Sequence, residues 1–154
     1  MANFVFNIAK GKAGQYFQNV DDNSPASCRI VVIPIETTGL EAAATMKDYD
    51  TVSALLAGTS NEQSTMGRKF VSTGANITCS VDDTNDLFKC DIADITWTAA
   101  TGNAISGLVL AYDPTGASAD TALVPLTFHD FVVTPDGSDI TADVTPANGV
   151  YQAS

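Results

Sequence analysis

His129 is the only histidine in the chain, so it bounds the acid–base chemistry available near neutral pH. Its neighbours Thr127, Phe128, Asp130 and Phe131 place it in a strand or bulge, where a lone ring usually serves a local hydrogen bond. A Ser–His–acid arrangement would also need an activated serine, and the sequence has no Gly-x-Ser-x-Gly elbow. Cys28, Cys79, Cys90 and His129 are spread along the chain, unlike the close pairs that hold structural zinc. The acidic runs Asp82, Asp83, Thr84, Asp86 and Asp136, Asp139, Asp143 invite a calcium reading. A calcium loop, however, would need glycine where Leu87 stands and a bidentate glutamate further on. Solvated turns, in which Asp and Asn bond their own backbone, account for both runs more simply. No Gly-rich phosphate loop follows a strand, and no basic stripe interleaves with aromatics. Trp97 would suit an exposed sugar platform, but its parity with Ile95 favours a core or interface position. The expectation is a chain that is not an enzyme and carries no catalytic residues, no cofactor and no metal.

Composition narrows the partners. The 154 residues suffice for one domain with its own core, and 45% are hydrophobic against 16% charged, so much of the surface must come from Thr, Ser, Asn and Gly. Eighteen acidic against seven basic residues give a formal charge of −11, which repels phosphate backbones and anionic membranes and suits a basic partner surface. No run approaches the ~20 apolar residues of a spanning helix, and the first ten residues lack a basic region followed by a long apolar one. Assembly in the cytoplasm is the resulting expectation. An odd number of cysteines fits a reduced compartment better than a disulfide framework. Cys79 and Cys90 nevertheless flank the turn-like Asp82-Asp83-Thr84-Asn85-Asp86, so a hairpin there would bring them close; whether they bond stays open.

The elements follow from periodicity. Phe4 to Phe6 predicts a short strand, with Asn7 capping a helix to about Asn19 whose buried face is Ala9, Ala13, Tyr16, Phe17 and Val20, weakened by Gly11 and Gly14. After the turn Asp21 to Pro25, Cys28 to Ile35 reads as a strand buried on both faces, with Pro34 placing its far end at an edge. Residues 36 to 68 form an irregular connection. It holds one short helix in which Asp50 caps Thr51 to Ala57 and Gly58 supplies a left-handed stop. From Lys69 onward, short β runs separated by Gly, Asp, Asn and Pro have the spacing of a sandwich or barrel. The inward parity changes between Phe88, Cys90, Ile92 and Ile95, Trp97, Ala99, and again at His129-Asp130, which predicts two bulges. Ile105 to Tyr112 reads as a central strand covered on both faces, and Ile140, Ala142 and Val144 as a last, half-exposed one.

Asp94-Ile95-Thr96-Trp97-Thr98-Ala99-Ala100-Thr101-Gly102, followed by Ile105-Ser106-Gly107-Leu108-Val109-Leu110-Ala111-Tyr112-Asp113, resembles a strand, Thr-Gly turn, strand signature of small structural proteins encoded among tailed-phage head genes. Val133-Thr134-Pro135-Asp136-Gly137-Ser138-Asp139-Ile140-Thr141 is similar to their Thr-Pro-x-Gly-x-Asp-Ile turn into a strand. The resemblance spans residues 86 to 144, while Ala122 to Asp130 and the terminal Ala147 to Ser154 depart from the pattern. It implies a mainly β chain, a β-sandwich of immunoglobulin-like or related type with one N-terminal helix and a short second helix. It also implies a head decoration or minor capsid protein that cements the outer surface of the virion.

A decoration protein bridges neighbouring capsomers, so its partner is the major capsid protein lattice, and copies are expected to form a trimer at three-fold or quasi-three-fold positions. The expected contact surface is the N-terminal Phe4 and Phe6 together with Met46, Tyr49, Met66, Arg68 and Phe70 of the connection, which is long enough to reach a neighbour. The alternative for Phe4, Phe6 and Phe70 is plain core packing. A tail or head-to-tail joining protein is the second functional reading, and a glycan-binding β-sandwich the third.

Overall fold

The computed structural model describes residues 1–144 and 149–153; residues 145–148 and 154, and with them part of the terminal stretch 147–154, lie outside the described residues. The chain is mainly β, in three antiparallel sheets with short helices. The strands are β1 (Phe4–Val5), β2 (Arg29–Glu36), β3 (Lys69–Ser72), β4 (Ile77–Asp82), β5 (Leu87–Ile92), β6 (Ile95–Trp97), β7 (Ile105–Asp113), β8 (Val124–Val133), β9 (Ile140–Ala142) and β10 (Tyr151–Ala153). A five-stranded sheet runs in the order β1-β8-β7-β2-β3, a three-stranded sheet in the order β10-β5-β4, and β6 pairs with β9. Helices α1 (Ala13–Asp21), α2 (Ala43–Met46) and α3 (Val52–Ala57) complete the elements, with a 3-10 turn at Asn7–Ala9.

The five-stranded sheet is the middle of three layers. All nine residues of β7 are buried, as are Ile30 to Ile35 of β2, which is what two uninterrupted apolar runs require. One face packs Ile30, Val32, Leu108, Leu110 and Leu126 against α1 and the two smaller sheets. The other packs Val31, Ile33, Ile35, Val109 and Phe128 against Phe6, Met46, Val52 and Leu55. Pro34 fits because β3 ends at the pair Val32–Lys69. Beyond it, the side on which proline lacks a donor meets only the short bridge made by residues 61 to 63, where the Gln63 N–H donates to the Pro34 carbonyl at 2.9 Å and the Glu36 N–H to the Asn61 carbonyl at 2.8 Å, so no acceptor there needs a proline N–H. Gly107 is the one place in β7 that tolerates no side chain, since a Cβ would strike the Phe128 ring and the His129 carbonyl.

Several expectations change. The N-terminal helix breaks at Gly11, which takes φ +78, so only Ala13–Asp21 is α-helical, although Ala9, Ala13, Phe17 and Val20 are fully buried as one face. Helix α3 is capped by Thr51, whose Oγ1 accepts from the Ala54 N–H at 3.1 Å, and not by the exposed Asp50. Gly58 has φ −73, so it is no left-handed stop; it is glycine because the Tyr49 hydroxyl and the Glu41 carboxylate stand where its side chain would be. The parity change at Ala93-Asp94 is no bulge either. The chain there leaves the three-stranded sheet and enters the β6–β9 pair, so the buried side is reset by a change of sheet. The second change is a true bulge: Ile105 faces Val133 while Gly107 faces Asp130, which leaves an extra residue on β8.

Cys79 and Cys90 stand directly opposite in the β4–β5 hairpin and form a disulfide, while Cys28 is a buried free thiol. The odd count therefore does not mean three reduced cysteines. Denatured without reductant, the chain should add one maleimide, at Cys28, and three after reduction, as read by intact mass. Three additions before reduction would show the hairpin to be unbridged.

Candidate functional site

The residues expected to face a partner do come together, but most of them do so as packing. Phe6 and Met46 are fully buried in the cluster between the five-stranded sheet and the helices, and Phe4 and Tyr49 pack against it. Phe4 stacks on Phe128 at 5.1 Å between ring centroids and has the Lys47 ammonium over its ring at 5.2 Å from the centroid. Phe6 and Met46 are thus withdrawn from the contact surface: the apolar face of the sheet has to be covered, and they cover it. Tyr49 is half-buried and its hydroxyl donates to Glu41 Oε1 at 2.9 Å, which fixes the loop before α3. Met66 is half-buried against the opposite cluster. Phe70 alone keeps its expected place, 53% exposed on β3 with the Arg29 guanidinium 3.9 Å from its ring centroid.

Arg68 is a clamp. Its Nε and Nη2 donate to Glu62 at 2.8 and 2.6 Å, and its Nη1 and Nη2 donate to Asp120 at 2.6 and 3.0 Å. Two bidentate pairs use the whole guanidinium fork and tie the connection to the β7–β8 loop. The Arg68 hydrogen bonds hold the Asp120 carboxyl below its ordinary range, and the two carboxylates raise the guanidinium further above its own. Gln63 works beside it from a fully buried position: its Nε2 donates to the Thr101 and Asn103 carbonyls and its Oε1 accepts from the Thr65 and Met66 N–H groups. The connection that was expected to reach a neighbour is pinned at both ends onto its own sheet.

The chemical candidates resolve as structural parts. His129 Nε2 shares a hydrogen bond of 2.9 Å with Thr127 Oγ1, Thr127 is itself buried, and burial pushes the imidazole down to about 4. Trp97 is 2% exposed and its Nε1 donates to the Gly67 carbonyl at 2.9 Å, so it offers no platform to a sugar. Asp82 accepts from the Thr84 and Asn85 N–H groups and from Asn85 Nδ2, so the first acidic run is a turn bonded to itself; in the second, Asp136 accepts from the Ser138 N–H while Asp139 accepts from the Ala99 N–H at 2.8 Å, tying the turn to the end of β6. Among the described residues no group of three or more His, Cys, Asp or Glu is arranged to hold a metal. A depression of about 350 Å³ is lined by Asp91, Asp94 and Asp143, with Asp94 Oδ1 accepting from the Val144 N–H and Asp91 Oδ1 buried without a partner.

What remains distinctive is the distribution of charge. Arg29 is turned onto the fully buried Asp113 at 2.9 Å, Arg68 onto Glu62 and Asp120, Lys47 onto Phe4 and Lys69 onto Trp97. Among the described residues every exposed carboxylate side chain is an aspartate, Asp22, Asp48, Asp83, Asp94 and Asp139 among them, with Asp130 taking the N-terminal ammonium at 2.7 Å, while Lys10 and Lys12 are the exposed side-chain cations. No sequence motif announces this inward turning of cations, because it depends on which carboxylates the fold brings beside them.

Two measurements check these assignments. Replacing Arg68 by Met strands two carboxylates and should cost about 2–3 kcal/mol in urea unfolding, whereas Phe70→Ser should stay within about 0.5 kcal/mol of the parent. An unchanged midpoint for Arg68→Met would return that residue to the surface. His129 gives a pH signature. Its folded value of about 4 lies below the unfolded 6.5, so both forms are neutral above pH 6.5 and the unfolded chain takes the proton first below it. Stability should fall by about 3 kcal/mol between pH 6.5 and 4, before the carboxylates contribute, and His129→Gln should flatten that limb; parallel curves would refute it.

No family model, curated protein or solved structure matches this chain, so charge, packing and exposed surface are what bear on its function.

Proposed function

We propose that the chain is a structural protein of a tailed-phage particle, made in the bacterial cytoplasm, which cements the outer surface of the head by binding the major capsid protein lattice. It makes and breaks no bonds. Copies sit as closed rings at three-fold or quasi-three-fold positions, each contact weak and the sum made strong by repetition. The observation that carries this reading is the surface charge: four of the seven basic side chains are turned onto partners within the chain while most aspartates face outward, which suits a basic, repeated partner surface. The motif resemblance in residues 86 to 144 is what supports a tailed-phage head as the particle. The connection is folded onto its own sheet, so on this reading attachment comes from the outer surface of the domain and not from an extended arm.

A tail or joining ring shares this charge logic and differs in where the protein sits on the particle. The glycan-binding reading loses its platform with Trp97 buried. Purified chain mixed with expanded, undecorated heads should sediment with them at low ionic strength and be released as salt rises, since the contact is largely electrostatic. Mass spectrometry of purified virions should find the chain, and particle images should place it on the head. Failure to bind heads at low salt, or absence from virions, would overturn the proposal.

A further inference from the structure

We propose that the Cys79–Cys90 disulfide is a redox-sensitive catch, open in the reducing cytoplasm and closed once the chain leaves it, and that its closure holds the edge strand β4 and helix α1 down as one unit. The open state rests on the cytoplasmic synthesis proposed above, and the mechanical link on the fold alone. In the order β10-β5-β4, strand β4 is outermost and, among the described residues, β5 is its one strand neighbour. Ile77 is the buried side chain of β4, while Thr78, Ser80 and Val81 are exposed, so packing alone holds the strand weakly. The two cysteines face one another where the ladder places no hydrogen bond between them. The Cys79 N–H turns away to Asp21 Oδ2 at 2.9 Å, and the Cys90 carbonyl takes the Val150 N–H at 2.9 Å. Asp21 is the last residue of α1, and its own carbonyl accepts from Thr73 Oγ1 at 2.9 Å, just before β4. What loosens β4 therefore loosens the end of α1 with it.

The dithiol and the disulfide differ by two electrons and two protons, which a small disulfide such as oxidised glutathione accepts. Cys79 is half-buried and Cys90 fully buried, so Cys79 is the sulfur that such a molecule reaches. Its thiolate attacks the glutathione disulfide and releases one glutathione. The Cys90 thiolate then attacks Cys79 Sγ, which forms the protein disulfide and releases the second glutathione. Each protein sulfur gives its proton to solvent, and each departing glutathione thiolate takes one up. Reduction is the same path reversed, driven by the thiols that keep cytosolic cysteines reduced. Cys28 reports the state of the catch. It is a fully buried free thiol whose Sγ donates to the Asn19 carbonyl of α1 at 3.2 Å, so a reagent meets it only when α1 lifts.

The first test labels the folded, purified chain with maleimide and reads Cys28 by peptide mass. After reduction and removal of the reductant, Cys28 should react at least about tenfold faster than in the oxidised chain, because a bond across the hairpin disfavours the opened unit. Cys79→Ala/Cys90→Ala should show the fast rate with or without reductant; should that variant fail to fold, the oxidised and reduced parent carry the comparison by themselves. The second test expresses the chain in bacteria and quenches the cells in acid with alkylation before lysis. Cys79 and Cys90 should be thiols there, and should bond when the lysate meets oxidised glutathione. Equal Cys28 rates in the oxidised and reduced parent would overturn the mechanical link, and a bond already closed in quenched cells would overturn the switch. Neither measurement uses heads, so a chain missing from virions would sink the function proposed above and leave the catch standing.

Discussion

A sheet whose central strands are apolar on both sides has to be covered on both sides, and that requirement organises the molecule. The side chains facing the helical layer, Val31, Ile33, Ile35, Val109 and Phe128, are all essentially buried. At about 2 kcal/mol for each, leaving them in water would forfeit about 10 kcal/mol, which is the whole net stability of an ordinary domain. Residues between β2 and β3 are the chain's means of preventing this. They pass over the sheet as α2 and α3, and the N-terminal segment fills the remainder with Phe4 and Phe6.

Short helices of four and six residues have little stability of their own, so something must hold them down. Backbone hydrogen bonds to neighbouring segments do it, the Asn7 N–H donating to the Lys47 carbonyl and the Val52 and Ser53 N–H groups to the Leu123 and Asp120 carbonyls, and polar side chains anchor the loops around them. Asp113 is fully buried, takes Arg29 on one oxygen and the Thr115, Gly116 and Ser118 N–H groups on the other, and its carboxyl is held below its usual range despite burial. Gln63 and Arg68 do the same for the connection. Because these anchors consume both arginines, the acidic excess of the sequence is left for the surface. Packing of the core and charge of the exterior are therefore one arrangement and not two.

The sequence makes the parts of the fold that have strict periodicity easy to read. Cys28 to Ile35 and Ile105 to Tyr112 read as buried strands because Arg29, at the start of the first, and Ser106 are the only strongly polar residues inside either run, and Ile140 and Ala142 alternate with Thr141 as a half-exposed strand does. The turn between Cys79 and Cys90 is visible in its aspartates and asparagine. What periodicity does not carry is which surface a strand packs on. The parity change at Ala93-Asp94 looks the same whether a strand bulges or changes sheet, and only the partner decides. Ala43–Met46 has too few residues to show a helical face, and Phe6 and Met46 are apolar in an irregular context, which reads equally as contact and as core. Arg68 is the clearest case: nothing local distinguishes a solvated arginine from one whose partners are Glu62, six residues away, and Asp120, beyond two further sheets.

On the proposed reading, the acidity that suits a basic lattice also opposes the contact between copies, and the two effects are coupled. With a formal charge of −11, free copies repel one another, and a small contact between them has little with which to offset that repulsion. A basic surface beneath them neutralises the aspartates of neighbouring copies together, so the repulsion between those copies falls. Binding the lattice and joining the next copy then favour each other, with a coupling that is electrostatic in origin and must weaken as salt screens both the attraction and the repulsion. A protein built this way stays dispersed while it accumulates and assembles only where the surface has already been laid out for it.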